Sequence, residues 1–366
     1  METRPSARRD RDGPLCYPPR RVSWLKRILI GVTLLLLVLV AIGAWLFRSQ
    51  AEAIPSELPP IDAAADPQKI KLPADGDLPA LALADLRGHA SYFVIEDRES
   101  MQAGESKAVN RALARWSMPE SVRGFLIGDA KGFALLRAKI GEFMGMMRPE
   151  LRLPLYIDFE GVFYDSFKLP RGHTGVVVLG PTGEVLLRHS GPADDATLAA
   201  LKAALGAAEP TLPPAPEFTA GTLSRAACRG KVCVLAFLDA PVALADLPGV
   251  EGGFKGGREE SFERFGRPSI RLVGVLAEAD EKIDEDKVAG VIVGDLSGVT
   301  LRRWQQVAEA AEARAAFELP PDRAGLVIID DQGRVALKAI GRVPFWQLGL
   351  VSELLGVELG DRSGER

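Results

Sequence analysis

Three groups of residues in this 366-residue chain have the types and spacing for chemistry. Cys228 and Cys233 enclose Arg-Gly-Lys-Val. In an oxidising compartment such a pair closes a disulfide if the turn brings the Cα atoms within about 7 Å. The spacing equally suits two small apolar side chains packed at a turn, or a pair that exchanges with partner thiols, and the residues leave the three readings open. The third cysteine, Cys16, stands far from them. GVEGGFKGG at 249–257 has the glycines of a phosphate loop without its closing Lys-Ser or Lys-Thr, so it reads as a plain loop. EADEKIDED at 278–286 lacks the regular ligands and turn glycine of an EF-hand and reads as a solvated loop. His89, His173 and His189 are scattered without ligand spacing, so neither a metal site nor a cofactor is expected.

What positions these residues begins with a membrane. Residues 28–47, ILIGVTLLLLVLVAIGAWLF, carry no charge, amide or proline and at 1.5 Å per residue reach about 30 Å, the thickness of a bilayer core. Eight Lys and Arg precede the run, whereas only Arg48 follows it before Lys69. The positive-inside rule therefore predicts a single-pass anchor with its N-terminus in the cytoplasm and the rest of the chain periplasmic or extracytoplasmic. Ala51-Glu52-Ala53 resembles a signal-peptidase site, but the apolar run exceeds the usual signal length, so an uncleaved anchor is the expectation. Residues 1–27, charged and Pro-rich, read as a disordered basic tail. The net charge of −4 with interspersed signs gives no nucleic-acid stripe.

Two Pro-rich stretches punctuate the exported part, one within a linker at 48–74 and the other, EPTLPPAPE, at 209–217. The halves they separate, 75–208 and 218–358 with a short tail at 359–366, repeat one another. FKLPRGHTGVVVLGPTGEVLLRHSG (167–191) lies over FELPPDRAGLVIIDDQGRVALKAIG (317–341) at an offset of 150 without a gap. The register continues as Leu198, Leu201 and Leu205 over Leu348, Val351 and Leu355, the i, i+3, i+7 face of a helix. LRGHASYFVIED (86–97) overlies CRGKVCVLAFLD (228–239) at an offset of 142. Each half then predicts a first buried strand (91–95; 232–237), a helix (106–116; 259–265) and a second strand (123–127; 269–276). A further helix is expected at 134–146 in the first half and an irregular stretch in the second. A third strand (155–158; 290–294), a hairpin turning at Thr182-Gly183 or Gln332-Gly333, and a last helix complete each half. Short apolar strands between helices imply an α/β sheet covered on both faces, made mixed by the closing hairpin.

The opening RGKVCVLAFL (229–238) and the endings VVVLGPTGEVLLRHSG and LVIIDDQGRVALKAIG resemble the thioredoxin-like superfamily, in particular its redoxin and peroxiredoxin branch. The resemblance implies two tandem thioredoxin-like α/β domains with mixed sheets behind one transmembrane helix. Active members place a Cys-x-x-Cys or one reactive cysteine after the first strand at a helix N-terminus, where backbone N–H groups and the dipole favour thiolate. By the offset of 142, those positions fall at Ser100 and Ala103 in the first half and at Val242 and Ala245 in the second. The family's cis-proline before the hairpin is replaced by Gly175 and Gly325. Ser100 as a substitute nucleophile would need a base, which only the fold could bring near it.

The expectation is therefore a degenerate, non-catalytic pair of domains that binds another envelope protein as a scaffold or assembly factor. The alternative is an envelope thiol-disulfide oxidoreductase or redox maturation factor working through Cys228 and Cys233.

Overall fold

The computed structural model describes residues 52–61, 69–247 and 266–357. The expected tail and anchor, Cys16, the glycine-rich loop at 249–257, the helix at 259–265 and the tail at 359–366 lie outside them. Among the described residues no helix is long and apolar enough to cross a membrane.

The first repeat is organised by SYFVIE, a run of β-branched and aromatic residues buried on both faces as the central strand of a covered sheet must be. A hairpin of β1 (Lys71–Leu72) and β2 (Leu81–Ala82) leads into this strand, β3 (Ser91–Glu96). Helices α1 (Arg98–Ala103) and α2 (Lys107–Arg115) follow, then β4 (Arg123–Asp129), α3 (Arg137–Met147) and β5 (Leu155–Asp158). The repeat closes with α4 (Val162–Phe167), the hairpin β6 (Gly175–Leu179) and β7 (Val185–Ser190), and α5 (Asp195–Leu205). Strand order is β5-β4-β3-β6-β7, with β3, β4 and β5 parallel and β6 and β7 antiparallel. Side chains alternate across β3 with the period of two that a strand imposes. Tyr92 and Val94 meet Val109 and Leu113 of α2 and Leu201 and Leu205 of α5. Phe93 and Ile95 meet Phe163 and Phe167 of α4. Each such fully buried side chain contributes about 1.5 to 3 kcal/mol.

The second repeat follows the same plan. A hairpin of β8 (Thr219–Ala220) and β9 (Leu223–Ser224) precedes the central strand β10 (Val232–Phe237) and the short β11 (Val242–Ala243). Then come α6 (Pro268–Asp280), β12 (Val288–Val293), β13 (Leu296–Ser297), β14 (Trp304–Val307) and α7 (Ala311–Ala316). The hairpin β15 (Gly325–Ile329) and β16 (Val335–Ile340) and the helix α8 (Phe345–Leu355) end it. The order β14-β12-β10-β15-β16 matches the first sheet strand for strand. Two five-stranded mixed sheets, each covered on both faces, thus fit the expected tandem arrangement.

The offset of 150 is visible in the backbone. Phe93 pairs with Val177 and Leu235 with Val327. Bulges fall between Val178 and Leu179 and between Ile328 and Ile329. Among the described residues, the left-handed ones outside glycine are Lys168 and Glu318, at φ 49° and 51°. Helices α5 and α8 both run eleven residues to a left-handed glycine, Gly206 and Gly356. Gly88 donates to Pro181 O as Gly230 donates to Asp331 O.

Several expectations are corrected. Residues 269–276 form part of helix α6, not a strand. SIRLVGVL is buried nearly all round, so it lacks the polar stripe that marks a surface helix, and a short apolar run of this kind does not separate helix from strand. The strand at 288–293 therefore pairs directly with β10 and is the counterpart of β4, while β14 at the edge is the counterpart of β5 and was not anticipated. The acidic run 278–286 is not simply solvated. Asp280, buried at the end of α6, accepts hydrogen bonds from Arg302 N and Arg303 N, both 2.9 Å. The Pro-rich stretches, expected as semi-rigid linkers, are fastened to the repeats. Val335 N donates to Pro213 O and Ala215 N to Gly333 O, and Leu58 and Ile61 pack on the core under α4.

The chain from Ala51 onward groups as one unit. Across its two repeats, α2 packs against α8, Arg115 pairs with Glu353 at 2.9 Å, and Arg152 lies over the Trp346 ring. Glu150, fully buried, accepts from Arg271 Nη1 of α6 at 2.6 Å and pairs with Arg342 Nη2. One carboxylate of the first repeat is thereby held by two guanidiniums of the second.

Candidate functional site

In a sheet of this order the chemistry is sought where the parallel strands end, because there the loops and helix starts converge. In the first repeat that edge is formed by the residues following β3, β4 and β5 and by those preceding β6.

Ser100 lies there, fully buried in the first turn of α1. Asp97 Oδ1 accepts from Ser100 N at 2.9 Å, and Ser100 Oγ accepts from Asp97 N at 3.0 Å, a reciprocal capping box. The hydroxyl also donates to Asp97 O at 3.1 Å. With its proton and a lone pair engaged inside the turn, the serine serves as a cap, and Asp97 meets it through the backbone N–H. Ala103 is exposed at the end of the same helix. The other carboxylate oxygen of Asp97 accepts from Gly172 N, fastening α1 to the loop before β6. Gly175 occupies the start of β6, where an added Cβ would lie 2.6 Å from Leu169 Cδ1. Its partner Gly325 would meet Leu319 Cδ1 at 3.0 Å, so the two glycines share the same close approach to a leucine side chain.

Around this cap the structure gathers charged groups that the sequence scatters. His173 Nδ1 is 2.9 Å from Glu105 Oε1, and its Nε2 is 2.7 Å from Glu52 O. A carbonyl and a carboxylate both accept, so each ring nitrogen needs a proton. Burial pulls His173 down, yet the hydrogen bonds from Glu105 and Glu52 and the charges of Glu105 and Asp97 together hold it above the usual histidine value. Glu105 Oε2 also accepts from Thr174 N at 2.8 Å. Beside it, burial raises the Glu96 carboxyl; a hydrogen bond with Ser106 opposes the rise, and the charges of Asp97 and Glu105 add to it. Arg171 reaches Asp129, Asp165 at 2.8 Å and Gly161 O at 3.1 Å. Asp158 ties the turn into α4, accepting from Gly161 N and Phe163 N. Among the described residues no cluster of His, Cys, Asp and Glu has the geometry to hold a metal ion.

The chain's own residues 52–55 lie across this edge. Glu52 N donates to Arg171 O at 2.8 Å, Arg171 N donates to Glu52 Oε2 at 3.2 Å, and Glu52 O meets His173. Glu52, Ala53, Pro55 and Pro59 form one wall of an open cleft of about 440 Å³ whose other wall is Tyr164, Asp165 and Lys168–Pro170. By composition this stretch is a linker. The signal of its packing is the spacing of Ile54, Leu58 and Ile61, which gives a Pro-rich segment an apolar side.

The second repeat's edge is built differently. Val242 is fully buried in β11, which pairs in parallel with β13, and Ala245 is exposed in the single 3-10 turn after it, Leu244–Asp246, so neither stands in an α-helix. Asp239 N donates to Ser269 Oγ at 2.8 Å, and that hydroxyl donates back to Asp239 Oδ1. The sulfurs lie elsewhere. Cys228 and Cys233 form a disulfide with Cα atoms 5.7 Å apart. Cys233 is the second residue of β10, at the end of the strand away from Asp239. Both cysteines are fully buried, packed with Phe218, Leu223 and Ile329. Exchange requires a thiolate to approach a sulfur, and this one is enclosed by side chains.

No protein-family model matches the chain, and no curated protein matches it. Among solved structures it is similar to the exposed lipoprotein thioredoxin of Streptococcus pneumoniae, at 15% identity, covering 37% of this chain and 97% of that one with a TM-score of 0.30. It is similar to MTB DsbF, solved in mixed oxidised and reduced forms, at 16% identity over 40% and 99% of the two chains with a TM-score of 0.29. A third is a secreted Mycobacterium tuberculosis disulfide oxidoreductase homologous to DsbE of E. coli, at 12% identity, 38% and 96% coverage and a TM-score of 0.26.

Proposed function

We propose that this chain is a membrane-anchored, extracytoplasmic binding protein whose two thioredoxin-like repeats act as a scaffold for another envelope protein, without catalysis. The observation that carries this reading is the closed state of the edge after β3. The position that would bear a reactive thiol is Ser100, buried and hydrogen-bonded within its own turn, and the chain's own Glu52 is laid over the loop beside it. The apolar run at 28–47 with basic residues before it supplies the anchor. The hydrogen bonds that hold the Ser100 hydroxyl have structural value and occupy its proton.

The second reading, a thiol-disulfide oxidoreductase working through Cys228 and Cys233, is favoured by one observation, that the two cysteines are joined. Its test is trapping. The full chain carrying Cys233→Ala, expressed in the cell envelope, is alkylated and resolved without reductant. The scaffold reading expects Cys228 to form no mixed disulfide with any protein. A mixed disulfide retained through Cys228 and released by reductant would overturn it in favour of redox exchange.

A further inference from the structure

Of eight large apolar side chains exposed among the described residues, four fall within residues 135–146: Leu135, Leu136, Phe143 and Met146. Leu135 is wholly exposed. Helix α3, which carries two of them, buries none of its own residues. An apolar helix displayed in this way on a water-soluble surface is unfavourable unless something covers it.

Three further observations indicate what covers it. Leu135 and Leu136 lie just beyond the end of β4, on the edge that also holds Glu52, because Asp129 at the end of β4 is joined through Arg171 to Glu52. Ile54 and Met101, two more of the eight exposed apolar side chains, stand on the same edge, in the segment over it and in α1. Glu52 is only five residues beyond Phe47, the last residue of the apolar run, and five residues of fully extended chain span at most about 18 Å. The stretch 131–142 also carries Arg137 and Lys139 against Glu142, while Lys131 is paired with Asp165 at 2.9 Å, a small positive balance that suits an anionic lipid surface.

We propose that this edge of the first repeat lies on the lipid bilayer, with Leu135 and Leu136 inserted at the headgroup level and α3 running down from the membrane face. The proposal rests on the membrane-anchor reading and deepens it: the edge that carries chemistry in redox members of the fold becomes a membrane-seating face.

The test uses the full chain carrying Cys16→Ser, reconstituted singly in nanodiscs containing phosphatidylglycerol. An environment-sensitive fluorophore is attached through Leu135→Cys, or through Leu186→Cys, an exposed position on β7 that serves as reference. Leu135 touches no core, so its replacement leaves folding intact. The expected result is a blue shift and quenching by shallow nitroxide lipids at 135, with a water-like signal at 186. A water-like signal at 135 in a chain that resists carbonate extraction overturns the proposal and leaves the anchor standing. Release of the chain by carbonate overturns both. A blue shift at 135 without lipid quenching, together with a doubled particle mass, overturns it in favour of a second copy covering the face.

Discussion

The two repeats share a frame and differ at its ends. Tyr164 and Arg314 show this most clearly, since they stand 150 residues apart and hold one matching carbonyl, that of His173 and that of Arg323, by different chemistry. Tyr164 Oη donates to His173 O at 2.6 Å and lies 3.4 Å from Ile95 O. Arg314 donates to Arg323 O at 2.8 Å and to Leu238 O at 3.2 Å, and adds Pro320 O at 2.6 Å. At the far end of the central strands, Leu86 and Ser91 in the first repeat stand where Cys228 and Cys233 stand in the second. The covalent brace is thus in the second repeat, and the titratable edge, clasped by residues 52–55, is in the first. Strand order, bulges and cap glycines were kept because the sheet requires them, while the ends diverged, and any division of labour between the repeats resides there.

The strongest way to break the comparison is to separate the repeats. Glu150→Ala leaves Arg271, itself 1% exposed, without its carboxylate in the interface, and removing one member of a buried ion pair costs about 3 to 5 kcal/mol. Denaturant unfolding of the full chain should pass from one transition to two as the repeats uncouple. A single unshifted transition would show that α2 against α8 is sufficient to join them.

Next in size is the Tyr164 and Arg314 pair. Arg314→Met removes charged hydrogen bonds to three carbonyls and should cost the second repeat about 2 to 3 kcal/mol, whereas Tyr164→Phe removes one short neutral bond and should cost the first about 1 kcal/mol. Equal losses would mean that the carbonyls matter and the side-chain chemistry does not. The disulfide comes third. It closes a loop of only about six residues, so Cys228→Ala with Cys233→Ala should lower the stability of the second repeat by about 2 kcal/mol. The first repeat should be unchanged, as measured by hydrogen-exchange protection of its strands with and without the substitutions.

Much of this frame is legible from residues alone because it is local. The Phe-x-Leu-Pro, the hairpin glycines and the leucine face of the last helix recur at fixed offset, and each dictates its own turn or strand. Helix α6 was misread because burial on every side erases the period that distinguishes a helix. The Glu150 cluster gave no signal, since its partners lie 121 residues or more away and nothing near Glu150 announces a buried charge. The cap role of Ser100 was half legible. The absence of a thiol is plain in the sequence, but the bond from Gly172 to Asp97 that seals the edge needs the fold to bring them together.

The smallest effect concerns the clasp itself. His173 is raised above its ordinary value in the folded chain, so its contribution is fully present below the unfolded histidine pKa of about 6.5 and is lost as pH rises through the higher folded value. Losing the ring's second proton removes the charge-assisted bond to Glu105 or the bond to Glu52 O, a change on the order of 0.5 kcal/mol at a partly covered site. Hydrogen-exchange protection at Glu52, corrected for intrinsic rates, should therefore fall on the alkaline side of neutrality. Glu105→Gln should move that fall to lower pH by removing the charge that holds the proton. The second repeat carries Arg323 at the matching position, and its permanent charge predicts no such dependence there. If protection at Glu52 stayed flat across this range while Glu105→Gln changed nothing, the clasp would rest on the Arg171 backbone bonds alone. The titratable edge of the first repeat would then be as fixed as its counterpart in the second.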